Sequence, residues 1–342
     1  MFSFQLSSVK RVLKIESVEA FSFSVYDCRM SYNIFIDGEA GTTGLKVASR
    51  LALHPHVRVL HIDEAVRKDM SARHDMIAKA DLAILCLPDA AAIEVANAAS
   101  TMDVCLIDAS TAHRTRSDWT YGFAEMDTEQ RSLLTSSKRI SNPGCYPTGL
   151  IALLRPLIKS GMIPSDADIT VPAVSGYSGG GNAMIATHDA GDLAPHMAYA
   201  IDLKHKHVPE MQLYSGLDKA PLFMPSVGNF YAGMLVHLPL HANQFSVPTT
   251  ASALYDLLRD WFADSALVAM GADGANDLAG QTSMAADSLA GRNDMELFVF
   301  ANKDESQFWL TARLDNLGKG ASGAAVQNMN IALGMAEDTA LV

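Results

Sequence analysis

Cysteine is scarce in this chain of 342 residues: only Cys28, Cys86, Cys105 and Cys145 occur. No two form a CxxC pair or a disulfide-like spacing, which argues against a disulfide scaffold and fits a reducing, cytoplasmic setting. Positive charge is also in deficit. Lys and Arg number 26 against 38 Asp and Glu, a net charge of −12. Such a balance argues against nucleic acid or an anionic membrane surface as partner, while leaving room for local basic pockets. No apolar run approaches the ~20 residues of a membrane span. The opening residues have mixed polarity and no apolar stretch ahead of a small-residue cleavage site, so they do not read as a signal peptide. The ordered pattern begins just after Met30. Residues 1–30 are therefore expected to be an N-terminal extension, of the kind an upstream start codon adds.

What is present is an ordinary globular composition, 49% hydrophobic and 19% charged, long enough for two domains. Strand and helix signals alternate from 33 to 145. Asn33–Ile36, Val57–Ile62, Leu82–Leu87 and Val104–Asp108 read as strands. Thr43–Leu53 reads as a helix with Leu45, Ala48, Leu51 and Ala52 on one face, stopped at Pro55, and Ala90–Ala99 as another. This β-α-β order predicts an α/β domain with a doubly wound parallel sheet, whose ligands bind at the carboxyl ends of the strands. Beyond 145 the pattern predicts a helix over 148–160 and strands at 169–174, 221–228, 230–239, 295–301 and 307–314. A helix over 250–263 interrupts them. That grouping predicts an α+β domain on a largely antiparallel sheet. The Ala/Gly/Asp-rich stretch 269–291 reads as a loop. Residues 320–336 read as a helix able to return to the first domain. The expected division is 31–146, 147–317 and 318–342.

Ser141-Asn142-Pro143-Gly144-Cys145-Tyr146-Pro147-Thr148-Gly149 is the most informative stretch. It sets one cysteine between a Pro-Gly turn and a helix start at Thr148. Helix amides favour a thiolate, so Cys145 is expected to be a nucleophile that forms a covalent acyl intermediate. A buried packing cysteine is the alternative, and it is the simplest reading of Cys86 and Cys105. Gly38-Glu39-Ala40-Gly41-Thr42-Thr43-Gly44 follows a strand and opens a helix, the context a dinucleotide turn requires. Gly38, Gly41, Thr42, Thr43 and Gly44 are its candidate cofactor residues. The choice between NAD and NADP stays open locally. Asp63 suits ribose hydroxyls, while Arg67 and Lys68 suit a 2′-phosphate.

His205, His207 and Glu210 form a polar cluster. A metal site, a solvated loop and a catalytic imidazole brought to Cys145 are all readings of it. No further ligand motif lies nearby, so no metal is expected. Ser175-Gly176 opens a Gly-rich segment able to present amides to an anion. Arg114, following Ser110 and Thr111, is a candidate anion clamp. The segment 316–323 precedes the last helix and could close over a nicotinamide.

Taken together, IFIDGEAGTTGL, SNPGCYPTG, SGYSGGG, HKHVPE and NLGKGASGAAVQN resemble, in order, the motifs of the short bacterial form of the N-acetyl-γ-glutamyl-phosphate reductase family. The resemblance spans residue 33 to about 335. It implies a Rossmann domain, an α+β dimerisation-type domain and a returning C-terminal helix. It implies NADPH-dependent reduction of an acyl phosphate through a Cys145 thioester, with NADP as cofactor, in a homodimer or homotetramer. It gives His205 the acid–base role. Arg114, Ser110, Ser175, Gly176, Tyr199, His207 and Glu210 fall to the substrate, and Asn316, Gly318 and Lys319 to the cofactor. Related reductases of aspartyl phosphate or an aminoadipyl analogue, a cysteine hydrolase and a sensor that has lost its chemistry are the rivals.

Overall fold

Ten elements build the first layer system in a computed structural model that describes residues 31–341; the expected extension lies outside the described residues. They are β1 Tyr32–Asp37, α1 Thr42–Leu51, β2 Val57–Leu60, α2 Met70–Lys79, β3 Leu82–Leu85, α3 Asp89–Ala98, β4 Cys105–Asp108, β5 Thr120–Tyr121, α4 Gln130–Ser136 and β6 Arg139–Ser141. The strands form one sheet in the order β2-β1-β3-β4-β6-β5, every neighbouring pair parallel. Both faces are covered, so the strands are continuous apolar runs: Leu82–Leu85 is buried throughout. The order turns back beside β1, and the carboxyl ends of β1, β3, β4 and β6 share one edge.

Two details differ from expectation. The buried face of α1 carries Gly44, Val47 and Leu51, whereas Leu45 is exposed. Helix α2 fills the segment between β2 and β3 with only Ile77 fully buried, so its sequence carries almost no periodic signal.

The second system comprises α5 Cys145–Lys159, β7 Thr170–Gly176, α6 Gly181–Asp189, β8 His196–Ala198, α7 Val208–Ser215, β9 Leu222–Gly228, β10 Met234–His241, α8 Ala251–Trp261, β11 Val268–Met270, β12 Met295–Ala301 and β13 Gln307–Leu314. Its sheet runs β11-β12-β13-β10-β7-β9-β8. It is mixed: β11–β12 and β7–β9 pair in parallel and the remaining pairs are antiparallel. Strand β11 overlaps only the first two residues of the stretch expected to be loop, 269–291. Helices α5 and α8 pack on one face of this sheet. Leu254 and Leu258, four residues apart on α8, are wholly buried there, each stabilising by about 2 kcal/mol. The last helix, α9 Gly323–Ala332, returns to the first sheet. Its Ala325, Val326 and Met329 share a core with Ile34, Val47 and Ile107.

Candidate active site

Helix α5 begins three residues before Thr148, with Gly144 as N-cap (φ −75°, ψ 150°). Pro147 does not delay it, because a proline in the first turn gives up only an amide that has no helical partner. Cys145 is therefore the first helical residue. It sits at the floor of a cavity of about 370 Å³ between the two sheets. That cavity also takes in Thr42, Thr43, Arg114, Tyr199, His205 and His207. Ser175 and Gly176 from the end of β7, and Asn316 ahead of α9, complete the wall.

Gly144 is the point on which the polar groups converge. A Cβ there would lie 2.6 Å from Arg114 Nη1, 2.7 Å from Glu210 Oε1 and 2.7 Å from His207 Nε2. Glu210 accepts from Arg114 Nη1 (2.7 Å), the Tyr121 hydroxyl (2.8 Å) and the Gly144 amide (3.1 Å). It is 1% exposed, so it has no reach to a substrate. It holds Arg114 and the turn before Cys145 in place. Arg114 also donates to the carbonyls of Asn142 (2.9 Å) and Ala109 (3.3 Å). Arg114, the candidate anion clamp, is a buried guanidinium on the cavity wall with three of its N–H groups committed, and its backbone carbonyl accepts from the Tyr214 hydroxyl at 2.6 Å.

The thiol does not match the thiolate expectation. Burial pushes Cys145 up to about 11, outweighing the Arg114 charge and the amides of Tyr146 and Cys145 that pull it down. Losing hydration costs the anion more than the helix end returns. The imidazoles are neutral as well. Burial, then Lys206 and Arg114, bring His205 down to about 4. Burial and Arg114 hold His207 well below its ordinary value. The His207 amide donates to His205 Nδ1 at 3.1 Å, so the neutral ring carries its proton on Nε2. Among the described residues His207 Nδ1 is buried without a partner. Tyr199 reaches the Tyr146 hydroxyl at 3.3 Å.

Three expected ligands are spent elsewhere. The Ser110 hydroxyl donates to Asp108 (2.7 Å) and is absent from the cavity wall. Lys319 is buried, its ammonium bonded to Glu125 (2.8 and 2.9 Å) and Gln327 (2.7 Å). Gly318 packs on the Arg292 carbonyl, where a Cβ would overlap it at 1.9 Å. Gly320 and Ala321 line the cavity in their place, and a Cβ on Gly320 would lie 2.7 Å from Cys145 Cβ. Asn316 spends its amide on the Gly233 N–H (2.8 Å) and the Ser178 hydroxyl (3.0 Å) while facing the cavity.

The glycine loop fits a dinucleotide. Gly38 has φ +88°, and a Cβ there would meet the Cys86 carbonyl at 2.3 Å. A Cβ on Gly44 would meet the Gly38 carbonyl at 2.3 Å. Gly41 caps α1 without any side-chain cap, which leaves the first amides of the helix open to an anion. On the far side of the loop lies a second cavity of about 550 Å³, walled by Asp37, Gly38, Arg67, Lys68 and Arg73 among others. Asp63 is not in it. Its carboxylate caps the short turn at Glu64 by accepting from Ala65 N (2.9 Å).

Residues 33–133 match the family described as semialdehyde dehydrogenase, NAD binding domain, and 145–316 the semialdehyde dehydrogenase, dimerisation domain. The N-acetyl-gamma-glutamyl-phosphate reductase of Rhizobium rhizogenes is 47% identical over 89% of this chain and 99% of its own length. That of Brucella anthropi is 45% identical over the same shares. This chain belongs to the N-acetyl-gamma-glutamyl-phosphate reductase family. Among solved structures, aspartate semialdehyde dehydrogenase II of Vibrio cholerae superposes with a TM-score of 0.65 at 17% identity, covering 88% of this chain and 98% of its own. The Candida albicans aspartate semialdehyde dehydrogenase with NADP gives 0.62 at 11%, covering 89% and 99%. These two show the fold alone.

Sequence reasoning about this reductase-family chain missed the supporting groups. Tyr121, Tyr214 and Glu125 lie far from the cysteine in sequence, and nothing in their local pattern singles them out. Gly144 was visible in SNPGCYPTG, where a glycine before a helix is a signal for an N-cap. Arg73 sits on the weakly patterned α2.

Proposed function

We propose that this chain reduces N-acetyl-γ-glutamyl phosphate to N-acetylglutamate semialdehyde with NADPH, releasing phosphate, as a step of arginine biosynthesis. The observation that carries this reading is the shared cavity. Cys145 at a helix start, two imidazoles and the first turn of the glycine-loop helix all face it, in a chain 47% identical to a reductase of that name.

Sγ of Cys145 bonds to the acyl carbon and the carbon–oxygen bond to phosphate breaks. The thiol, kept protonated by burial, gives up its proton in that step, and the departing phosphate carries it away. Arg114 has five N–H groups, of which three are committed; the remainder and exposed Lys206 supply positive charge for the leaving group. Bound NADPH supplies the hydride that reduces the thioester. His205 Nε2–H is then the donor for the oxyanion that forms. A preorganised donor of this kind is worth about 3 kcal/mol. On collapse the oxyanion reforms the carbonyl as the carbon–sulfur bond breaks, and the departing sulfur takes up one proton from solvent, which restores the thiol. Thr42, Thr43 and the open amides of α1 would hold the cofactor's phosphates, and Gly320 and Ala321 would face its reactive end.

Strands β9 and β13 support self-association through the open face of the mixed sheet, where Leu222, Met224 and Trp309 are exposed. We assign the chain to a homodimer or homotetramer in the cytoplasm. Among the described residues no helix is long and apolar enough to cross a membrane.

The test is the reverse reaction with N-acetylglutamate semialdehyde, phosphate and NADP, followed by nicotinamide absorbance. Phosphate-dependent formation of NADPH, lost in Cys145→Ala while NADPH binding persists, is expected. Turnover of aspartate semialdehyde alone would replace the substrate, and substantial activity in Cys145→Ala would overturn the thioester.

A further inference from the structure

We propose that Arg73, on α2, selects NADPH over NADH by taking the cofactor's 2′-phosphate together with Arg67 and Lys68. This rests on the reading of the chain as a nicotinamide-dependent reductase.

The second cavity lies across the glycine loop from the thiol, where the adenosine half of a dinucleotide bound at that loop must fall. Its polar wall holds three cations, Arg67, Lys68 and Arg73. Asp63, the acid read from the sequence as an acceptor for NAD ribose hydroxyls, is not part of this wall. β2 ends at Leu60, the next residue is His61, which contacts Glu39 at 3.0 Å, and Asp63 is turned away to cap Ala65. Glu39 and Glu64 share this wall, but Glu39 is paired with His61 and Glu64 lies beside Arg67, which leaves the Arg73 fork as the buried, uncommitted group on it.

The three cations differ in what they can do. The Arg67 side chain is 44% exposed and lies 3.7 Å from Glu64, so water and a neighbouring carboxylate both weaken it. The Arg73 side chain is only 12% exposed. Its Nε donates to the Arg67 carbonyl at 2.9 Å and lies 3.4 Å from Asp37 Oδ1. Its Nη groups have no hydrogen-bond partner among the described residues. A guanidinium fixed at Nε, with its fork free and lining a cavity, is preorganised for a phosphate dianion. Asp37 is the tether. It is 2% exposed, and its Oδ2 has no partner among the described residues. Burial pushes its carboxyl up to about 6 against the pull of Arg73 and the Gly38 amide, so on loss of the arginine it takes up a proton. Arg73 can therefore be replaced without stranding a buried anion.

NADPH, NADH, 2′,5′-ADP and 5′-AMP are titrated calorimetrically against the full chain, as wild type, Arg73→Met and Arg73→Lys. Arg73→Met is expected to weaken NADPH and 2′,5′-ADP about 10- to 100-fold, and NADH and 5′-AMP by less than about twofold. Arg73→Lys, which keeps the charge without the fork, is expected to recover part of the loss. Equal weakening of phosphorylated and unphosphorylated ligands would make Arg73 a structural residue and overturn the proposal. So would unchanged NADPH affinity, or a wild type that does not discriminate. A wild type that discriminates but fails to oxidise the semialdehyde would sink the reaction reading and leave Arg73 standing.

Discussion

Lys319→Met tests the buried network behind the active-site loop. In the native fold the Lys319 ammonium bridges both oxygens of Glu125 and the Gln327 side-chain carbonyl, and the Lys319 and Glu125 side chains are each 1% exposed. Methionine keeps most of the volume and removes the charge. Glu125 keeps one donor, Gln327 Nε2 at 2.8 Å. Breaking a buried pair from one side costs about 3–5 kcal/mol. At about 2–4 °C per kcal/mol, the melting temperature should fall on the order of 10 °C. The pH dependence gives the sharper test. In the wild type burial raises the Glu125 pKa, but Lys319 leads the groups that overcome it and hold the carboxyl below its ordinary value. Its stabilisation is present above the unfolded pKa and lost as pH falls through the lower folded one. In Lys319→Met the burial effect is opposed much less, and the folded pKa rises above the unfolded value. The deficit is then smallest in acid and grows by about 1.4 kcal/mol per pH unit from the unfolded carboxylate value, about 4.3, up to the raised pKa. Urea melts at pH 5, 6.5 and 8 measure this. A deficit under about 1 kcal/mol at pH 8, or one independent of pH, would refute the reasoning. Adding Glu125→Gln should recover most of the loss, because no buried charge is left unpaired.

Two further outcomes follow from the thiol and its turn. With Cys145 pushed up to about 11, its alkylation by iodoacetamide in the free enzyme should rise about tenfold per pH unit from 7 to 9.5 without a plateau; a midpoint below 8 would show that the helix amides and Arg114 prevail. Gly144→Ala places a methyl within 2.7 Å of Arg114, Glu210 and His207. It should lower kcat on the order of 10²-fold with NADPH affinity within about twofold, and unchanged turnover would dissolve the convergence described at that glycine.

By itself the sequence determined the order of the main strands and longer helices and the parallel sheet, and it singled out Cys145 and the glycine turn as candidates. These are local properties. Apolar runs such as LAIL read as buried strands, and GEAGTTG needs glycines because its backbone closes on itself. Cys145, His205 and the cofactor loop could be named because their motifs are contiguous. Tertiary structure alone decided what each charged side chain does. Arg114 and Glu210 stand 96 residues apart and pair beside Gly144, leaving part of the guanidinium for the cavity. Lys319 and Glu125 stand 194 apart and pair behind the loop. Arg73 keeps a free fork because Asp37 and the Arg67 carbonyl hold its other end. The protonation of Cys145 belongs to the same class. A helix start predicts a thiolate, but burial by residues distant in the chain sets the cost of the charge. Charge is long-ranged and desolvation is collective, so neither is written in the residues adjacent to the group they govern.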